Sequence, residues 1–364
     1  MNDRTKHGNG KKIDPELRLR EIADRIGPPD REAADAALRH LDSLTKPPGS
    51  LGRLETIAAR LAGMTGELAP DLSRRAVVVM AADHGVCEEG VSAFPAEVTP
   101  QMVYNFAAGG AAVNVLAKQA GAQVVCVDIG VNAELDHPQV LGRKVRKGTA
   151  NMTQGPAMTR GEAAEAILAG MELAFELHAA GCRMFATGEM GIGNTTASAA
   201  LCVALAGMTP DEAVGLGTGI DEPRRRHKVD VVRRAIERNR PDPVDPLDAL
   251  AKVGGLEIAG LTGLILGAAE RRCPVVIDGF ISTAAAFAAA KIAPQSSAYM
   301  LGSHLSHERG HRMLLEKAGL TPLLHLDMRL GEGTGAVLAF HLIDAAVAVM
   351  KEMATFESAG VSRE

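Results

Sequence analysis

Short apolar runs of strand length alternate with longer alanine-rich stretches from about residue 75 onward, and this alternation constrains the fold more than any other feature. Strands buried in a parallel sheet are near-continuous apolar runs, and the helices that cover the sheet lie between them. The runs that fit are residues 76–81, 124–127, 184–187, 275–277, 298–301 and 323–326. The pattern predicts an α/β fold with a doubly wound, mostly parallel, Rossmann-like sheet of about six strands.

The two ends of the chain differ from this central part. Residues 1–15 are polar and charged, and we expect them to form a disordered tail. Residues 16–70 and 337–358 have helical patterns, which predict a smaller helical domain built from both chain ends. Residues 71–336 then form the α/β catalytic domain.

The composition argues against several classes of protein. The net charge of -5 provides no basic surface for nucleic acid or an anionic membrane, and only 3% of residues are aromatic. Five scattered cysteines without a Cys-x-x-Cys pair favour reduced thiols over disulfides or zinc. The N-terminus has no apolar signal region, and no apolar stretch of spanning length lacks polar breaks. We therefore expect a cytoplasmic protein that acts on small molecules, without nucleic-acid or membrane partners.

Polar, mostly glycine-containing loops follow the predicted strands. Ligands of open α/β sheets bind outside the carboxyl ends of the strands, so we expect these loops to form one site. The last loop, residues 330–336, presents the carboxylate of Glu332 between glycines, which permit tight turns and close approach of a ligand. A surface turn uses the same residues, so this motif alone leaves both interpretations open.

Two other glycine-rich segments are candidates for holding an anion. Residues 188–198 join a strand to a helix start that suits phosphate, although they match neither a P-loop nor a dinucleotide fingerprint. Glu189 in this segment suits a neutral or cationic part of a ligand. In residues 216–228, a glycine turn is followed by Lys228, which could neutralise a phosphate. A tight structural turn and a solvated basic helix face are the alternatives.

Two further segments carry polar or aromatic side chains. Residues 303–311 contain three histidines but no His-Glu-x-x-His, so a hydrogen-bonding loop is favoured over a metal site, and Ser306 could serve a phosphate. In residues 90–101, Phe94 could stack on a planar ligand or fill the core, and Gln101 can form a hydrogen bond. No arrangement for covalent catalysis is indicated.

Taken together, these segments resemble the nicotinate-nucleotide–dimethylbenzimidazole phosphoribosyltransferase family. The matching strings occur in family order over most of the chain. They are residues 44–55, 81–86, 90–95, 105–110, 188–196, 217–219, 277–280, 303–311 and 330–336. One such string is weakly specific, whereas nine in order are strongly specific.

The resemblance implies an enzyme of cobalamin lower-ligand synthesis. Such an enzyme transfers the phosphoribosyl group of nicotinate mononucleotide to 5,6-dimethylbenzimidazole and releases α-ribazole 5'-phosphate and nicotinate. The family also implies a homodimer, with no cofactor and no metal. Phe94 stands where family members often have another residue, which leaves the preferred base open.

The resemblance further assigns roles to individual residues. Glu332 matches the catalytic general base, and Glu189 matches the second glutamate of the site. The predicted substrate-binding residues are Ser92, Phe94, Gln101, Gly191, Gly217, Thr218, Gly219, Lys228, Asp278, Ser306 and Leu330. Two alternatives remain: a phosphoribosyltransferase or nucleosidase that uses water or another base as acceptor, and a nucleotide-binding protein without turnover.

Overall fold

The computed structural model describes residues 14–217, 219 and 221–362. Most of the predicted tail therefore lies outside the described residues. Its last two positions belong to a helix, because Asp14 caps the helix that begins at Pro15 and accepts a hydrogen bond from the Glu16 backbone.

One sheet of six parallel strands forms the centre of the part of the chain that the structure describes. The strands are β1 Arg75–Ala82, β2 Gln123–Gly130, β3 Val140–Gly142, β4 Met184–Met190, β5 Val275–Ile277 and β6 Met300–Gly302. Their order is β3-β2-β1-β4-β5-β6, and every neighbouring pair is parallel. This is the strand order of a doubly wound Rossmann-type sheet. The predicted fold class is confirmed.

The strand prediction was wrong at one apolar run and missed one strand. Residues 323–326 form no strand; Leu324 makes only an isolated parallel bridge to His304, and Leu326 is half exposed. Strand β3, which was not predicted, brings the number of strands to six and pairs with β2 at the edge of the sheet. Its three residues are not buried, so no continuous apolar run marks them in the sequence.

Helices cover both faces of this sheet. They are α1 Pro15–Ala23, α2 Arg31–Ser43, α3 Arg53–Thr65, α4 Val98–Ala108, α5 Ala112–Gln119, α6 Arg160–Ala179, α7 Asn194–Ala206, α8 Pro210–Ala213, α9 Glu222–Asn239, α10 Pro246–Val253, α11 Leu256–Glu270, α12 Phe280–Ile292, α13 His311–Lys317, α14 Thr334–Glu352 and α15 Phe356–Ala359. Helices α11 and α12 pack on one face of the sheet, while α4, α5 and α14 pack on the other. Because helices lie on both faces, nearly all residues of the central strands β1 and β4 are buried.

Helix α14 connects the predicted helical domain to the sheet. It packs against α2 and α3 and also against α5, β4 and β5, and a bridge between Leu44 and Thr355 joins the two chain ends. It begins at Thr334, three residues before the predicted boundary at 337. The division into 16–70 plus 337–358 and 71–336 stays a prediction.

Helix α14 is also the one described helix that is long and apolar enough to cross a membrane. Half of that apolar stretch is buried inside the protein, against the strands and helices named above. A core helix of this kind passes the same length and composition test, so the finding is weak support for a membrane span.

The five cysteines, all within the described residues, are free thiols. Cys87 is partly exposed and the other four are buried. Burial raises the pKa of Cys87 to about 11 and that of Cys126 to about 12, so these thiols stay protonated. Free thiols, four of them buried, agree with the expectation of reduced cysteines.

Candidate active site

A cavity of about 340 Å³ lies at the carboxyl ends of β4, β5 and β6, where ligands of open α/β sheets bind. Its walls come from the loops that follow these strands, from α4 and from residues 329–332. Wider surface hollows of about 450 and 480 Å³ occur elsewhere, but neither contains Glu189 or Glu332. We therefore take the smaller cavity, which contains both glutamates, as the candidate active site.

Seven of the predicted site residues line this cavity. They are Phe94, Glu189, Gly191, Gly217, Ser306, Leu330 and Glu332. Thr218 lies outside the described residues. The structure thus brings together side chains from positions 94 to 332 at a single place, as the loop argument predicted.

The Glu332 loop has an unusual backbone. Gly331, Glu332 and Gly333 have φ angles of 87°, 63° and 91°, all in the left-handed region. Glycine adopts this region without a steric penalty, but the side chain of Glu332 makes its own conformation costly. Strain of this kind persists only where surrounding contacts fix the backbone.

Asp278 supplies two of those contacts. Its carboxylate accepts hydrogen bonds from the N–H groups of Gly333 at 3.2 Å and Ala336 at 3.0 Å, at the start of α14. The side chain is 1% exposed and does not line the cavity. Asp278, predicted as a substrate-binding residue, therefore holds the Glu332 loop in place from behind.

Glu189 lies against the same loop. A Cβ on Gly331 would lie 2.3 Å from Oε1 of Glu189, so the glycine is what allows the carboxyl group to contact the loop backbone. The other oxygen of Glu189 accepts a hydrogen bond from the carboxamide of Asn194, the first residue of α7. Two glutamates far apart in sequence are thus held side by side.

Both glutamates have raised pKa values. Burial and then the Asp278 carboxylate raise the pKa of Glu332 to about 7. A hydrogen bond from the backbone N–H of Val113 has the opposite, smaller effect. Burial, Asp278 and Glu257 raise the pKa of Glu189 to about 8. Oε2 of Glu332 is buried and has no hydrogen-bond partner among the described residues. A carboxylate with a pKa near neutrality suits general-base catalysis.

Lys228 lies behind the cavity wall. Its ammonium group is buried and donates a hydrogen bond to Thr195 Oγ1 at 2.5 Å, and Thr195 lines the cavity. Nζ lies 3.6 Å from the position that a Cβ on Gly217 would occupy. Burial lowers the pKa of Lys228 to about 8, although Glu308 opposes this. Lys228 therefore reaches the cavity through Thr195 and Gly217.

Besides Asp278 and Lys228, three more predicted residues do not line the cavity. Gln101 is exposed on α4, whereas the next residue, Met102, does line it. Ser92 accepts a hydrogen bond from the Phe94 backbone at 3.2 Å, and Gly219 is exposed. For these residues a ligand contact stays a prediction.

The sequence reasoning missed several lining residues. Val98 and Met102 form an apolar wall on α4, and helical spacing of i and i+4 was the signal that could have found them. Asn194 is the residue that follows the Gly193 turn, and its contact with Glu189 had no sequence signal. Together with Phe94 and Leu330 at the mouth, the apolar wall suits a planar, uncharged ligand.

Two of the three histidines in residues 303–311 form side-chain hydrogen bonds inside the protein, and His307 is exposed. His304 Nδ1 lies 3.0 Å from Ser303 Oγ, and His311 contacts both Thr283 and Ser306. Within the residues that the structure describes, no group of three or more His, Cys, Asp or Glu side chains is arranged to hold a metal ion.

Comparison with known proteins gives the class of the molecule. A family model described as phosphoribosyltransferase matches residues 26–361. The nicotinate-nucleotide–dimethylbenzimidazole phosphoribosyltransferase of Chloroflexus aggregans is 57% identical over 347 residues, which cover 95% of this chain and 98% of that protein. The enzyme of the same name from Geobacter sulfurreducens is 52% identical over 94% of this chain and 98% of its own length.

A solved structure agrees with these relatives. The crystal structure of the enzyme of that name from Thermus thermophilus superposes with a TM-score of 0.87 at 52% identity, covering 92% of this chain and 100% of the other. The chain therefore belongs to the nicotinate-nucleotide–dimethylbenzimidazole phosphoribosyltransferase family. The predicted family and the predicted enzyme class, a glycosyltransferase that transfers phosphoribosyl groups, are confirmed.

Proposed function

We propose that this chain transfers the phosphoribosyl group of nicotinate mononucleotide to 5,6-dimethylbenzimidazole during cobalamin lower-ligand synthesis. The products are α-ribazole 5'-phosphate and nicotinate. The observation that carries the proposal is the buried Glu332 carboxylate, whose Oε2 lacks a partner among the described residues beside an apolar cavity. The names of the Chloroflexus and Geobacter relatives support the choice of substrates.

Glu332 is the general base in this proposal. One ring nitrogen of the benzimidazole attacks C1 of the ribose while the carboxylate of Glu332 takes the proton from the other ring nitrogen. The new N–C bond forms as the bond from C1 to nicotinate breaks, and the bonding electrons leave with nicotinate. Attack opposite the leaving group inverts the anomeric centre from β to α. The pyridinium is a good leaving group, so no acid is required to expel it.

Glu189 is the second carboxyl group of the site. With a pKa raised to about 8 it carries a proton for most of the time at neutral pH, which reduces its repulsion of Glu332. A cationic pyridinium nearby would favour its ionised form. We propose that Glu189 faces the nicotinate nucleotide and supports the Glu332 loop through Gly331.

We assign the phosphate of the nucleotide to the part of the cavity that lies near Lys228. Ser306 and Gly217 line it, and Lys228 places a positive charge behind Gly217 and Thr195. A buried cation and backbone N–H groups are suited to a phosphate group. Gly191 belongs to the glycine turn that begins α7, whose N-terminus favours an anion.

The base is assigned to the apolar wall. Phe94, Val98, Met102 and Leu330 offer contact surface for a planar ring, and Phe94 and Leu330 are about half exposed at the mouth of the cavity. Because Glu332 adjoins this wall, a ring N–H can reach its carboxylate. Apolar contacts of this kind accept several planar bases of similar size, so the preferred base stays open.

The proposal is tested by measuring nicotinate release by liquid chromatography with and without dimethylbenzimidazole. We expect release only when the base is present, together with formation of the α-anomer. Equal release without the base would support a hydrolase instead. No release under either condition would support a nucleotide-binding protein without turnover.

We further propose that the enzyme is a cytoplasmic homodimer. Four large apolar side chains, Phe94, Leu216, Leu326 and Leu330, are each about half exposed in or beside the loops around the cavity, and a second copy could cover them. The free cysteines suit a reducing compartment. Light scattering coupled to size exclusion is expected to give twice the 38.0 kDa chain mass. A mass of one chain at micromolar concentration would contradict the proposal.

A further inference from the structure

His311 lies behind the cavity, between the two loops that follow β5 and β6. The imidazole is fully buried, and it contacts the side chain of Thr283 and the backbone of Ser306. Ser306 lines the cavity, whereas His311 does not. His311 can therefore affect a ligand only through residues that line the cavity, and its direct hydrogen bond to such a residue is the one to Ser306.

The hydrogen bonds fix which ring nitrogen carries the proton. Thr283 Oγ1 donates its one hydrogen to the carbonyl oxygen of Gly279 at 2.8 Å, so it accepts from His311 Nε2 at 3.0 Å. His311 Nδ1 is then unprotonated and accepts the N–H of Ser306 at 2.9 Å. The chain of bonds runs from Gly279 through Thr283 and His311 to Ser306. It joins two cavity-lining residues, Gly279 and Ser306.

This arrangement requires a neutral imidazole. Burial, and then the neighbouring His304, lower the pKa of His311 to about 3, so the ring keeps a free Nδ1 at neutral pH. Backbone bonds from Leu305 to Leu324 and from His307 to Met328 hold the residues on either side of Ser306. Among the described residues, the acceptor for the Ser306 N–H itself is His311.

We propose that His311 is a positioning residue for the nucleotide phosphate: its neutral ring holds the Ser306 backbone so that Ser306 meets the phosphate group. The proposal rests on the phosphate assignment made under the proposed function. A fixed N–H restricts the backbone dihedrals of Ser306 and so the direction of its side chain. His311 affects binding of nicotinate mononucleotide and leaves contacts with the benzimidazole base unchanged.

Two amide variants test the two ring nitrogens of His311 separately. In His311→Asn the carboxamide oxygen is attached to the same carbon position as Nδ1, so it can still accept the Ser306 N–H. In His311→Gln the amide nitrogen is as many bonds from the backbone as Nε2 of histidine, so it can donate to Thr283. This variant leaves the Ser306 N–H without its acceptor. A residue that only fills core space would respond similarly to both changes.

The experiment measures the Kd for nicotinate mononucleotide by titration calorimetry, with no base present. Loss of one hydrogen bond corresponds to a change of about two- to tenfold, so we expect a Kd raised about five- to tenfold in His311→Gln and within about twofold of the native value in His311→Asn. In turnover assays the change is expected in the KM for the nucleotide, with kcat and the KM for the base unaltered. If His311→Gln does not fold, His311→Ala replaces it with the same expectation.

Equal Kd values in the Asn and Gln variants would overturn the positioning role. Failure of the phosphate assignment is recognised separately, because Ser306→Ala would then leave the Kd unchanged. Calorimetry reports binding whether or not turnover occurs, so an absence of base-dependent nicotinate release does not affect this test. A native chain that binds no nicotinate mononucleotide would overturn both proposals.

Discussion

Glu332→Gln is expected to lower kcat by about 10²–10⁴-fold, the usual contribution of a general base. Glutamine is close in size and shape to glutamate but cannot take the ring proton of the attacking base. Binding of nicotinate mononucleotide is expected to change little, because the variant keeps the loop backbone that Asp278 holds. Initial rates of nicotinate release measure the first effect, and calorimetry measures the second.

The pH profile identifies the group responsible. Only ionised Glu332 can act as a base, and its pKa is raised to about 7. For the native enzyme, kcat/KM for the base should fall about tenfold for each pH unit below 7 and level off above it. In Glu332→Gln this step should disappear, while any step near pH 8 that arises from Glu189 remains.

Protein stability provides the control for misfolding. The pKa of Glu332 is higher in the folded protein than in the unfolded chain, so stability is lost as the pH rises through 7 and the buried group ionises. The neutral variant avoids this loss, and its Tm at pH 8 should equal or exceed that of the native enzyme. Glu316→Gln, which removes an exposed carboxylate on α13, should leave rate and Tm unchanged. Near-native turnover in Glu332→Gln would remove Glu332 as the base.

Gly331→Ala is expected to have the second largest effect, a loss of about 10- to 100-fold in kcat. The new methyl group would lie 2.3 Å from Oε1 of Glu189, so either the Glu332 loop or Glu189 must move. A displacement of about 1 Å in a catalytic group can lower the rate by about 10²-fold. Initial-rate measurements at saturating substrates report this loss.

Gly319→Ala is the matched control. Gly319 has φ +66, in the same left-handed region as Gly331, but a Cβ there meets no atom within 4 Å. Both variants carry the backbone strain of a left-handed alanine, about 1–2 kcal/mol, and should lose similar stability from that source. Only Gly331→Ala should lose turnover. Equal rates in the two variants would show that Glu189 does not lie against the loop in the working enzyme.

Some details of the site were readable from local sequence and others were not. Gly-Glu-Gly at 331–333 indicated a carboxylate in a tight turn, and the structure places Glu332 there with left-handed backbone angles. Gln101 was taken as a candidate ligand residue, but α4 turns its neighbour Met102 to the cavity. A one-residue step rotates a helical side chain by about 100°, and the sequence does not reveal which step faces the ligand.

The contacts of Asp278 with the Glu332 loop could not be predicted from the sequence either. Its position after a buried strand predicted a site at the sheet edge, and it does lie there. That it bonds Gly333 and Ala336, more than fifty residues later, depends on how the start of α14 approaches β5. At residues 323–326 the sequence predicted a strand that does not form. An apolar run becomes a strand only where a neighbouring strand pairs with it, and the sequence does not show that.

By itself, the sequence determined the alternation of buried strands and covering helices, the glycine-rich loops and the residue types at the site. These are local properties, fixed by hydrophobic periodicity and by the backbone freedom of glycine. Only the tertiary structure decided that Glu189 and Glu332 are neighbours and that their pKa values are raised to about 8 and about 7. Desolvation depends on every chain segment packed around a group, and those segments are remote in sequence.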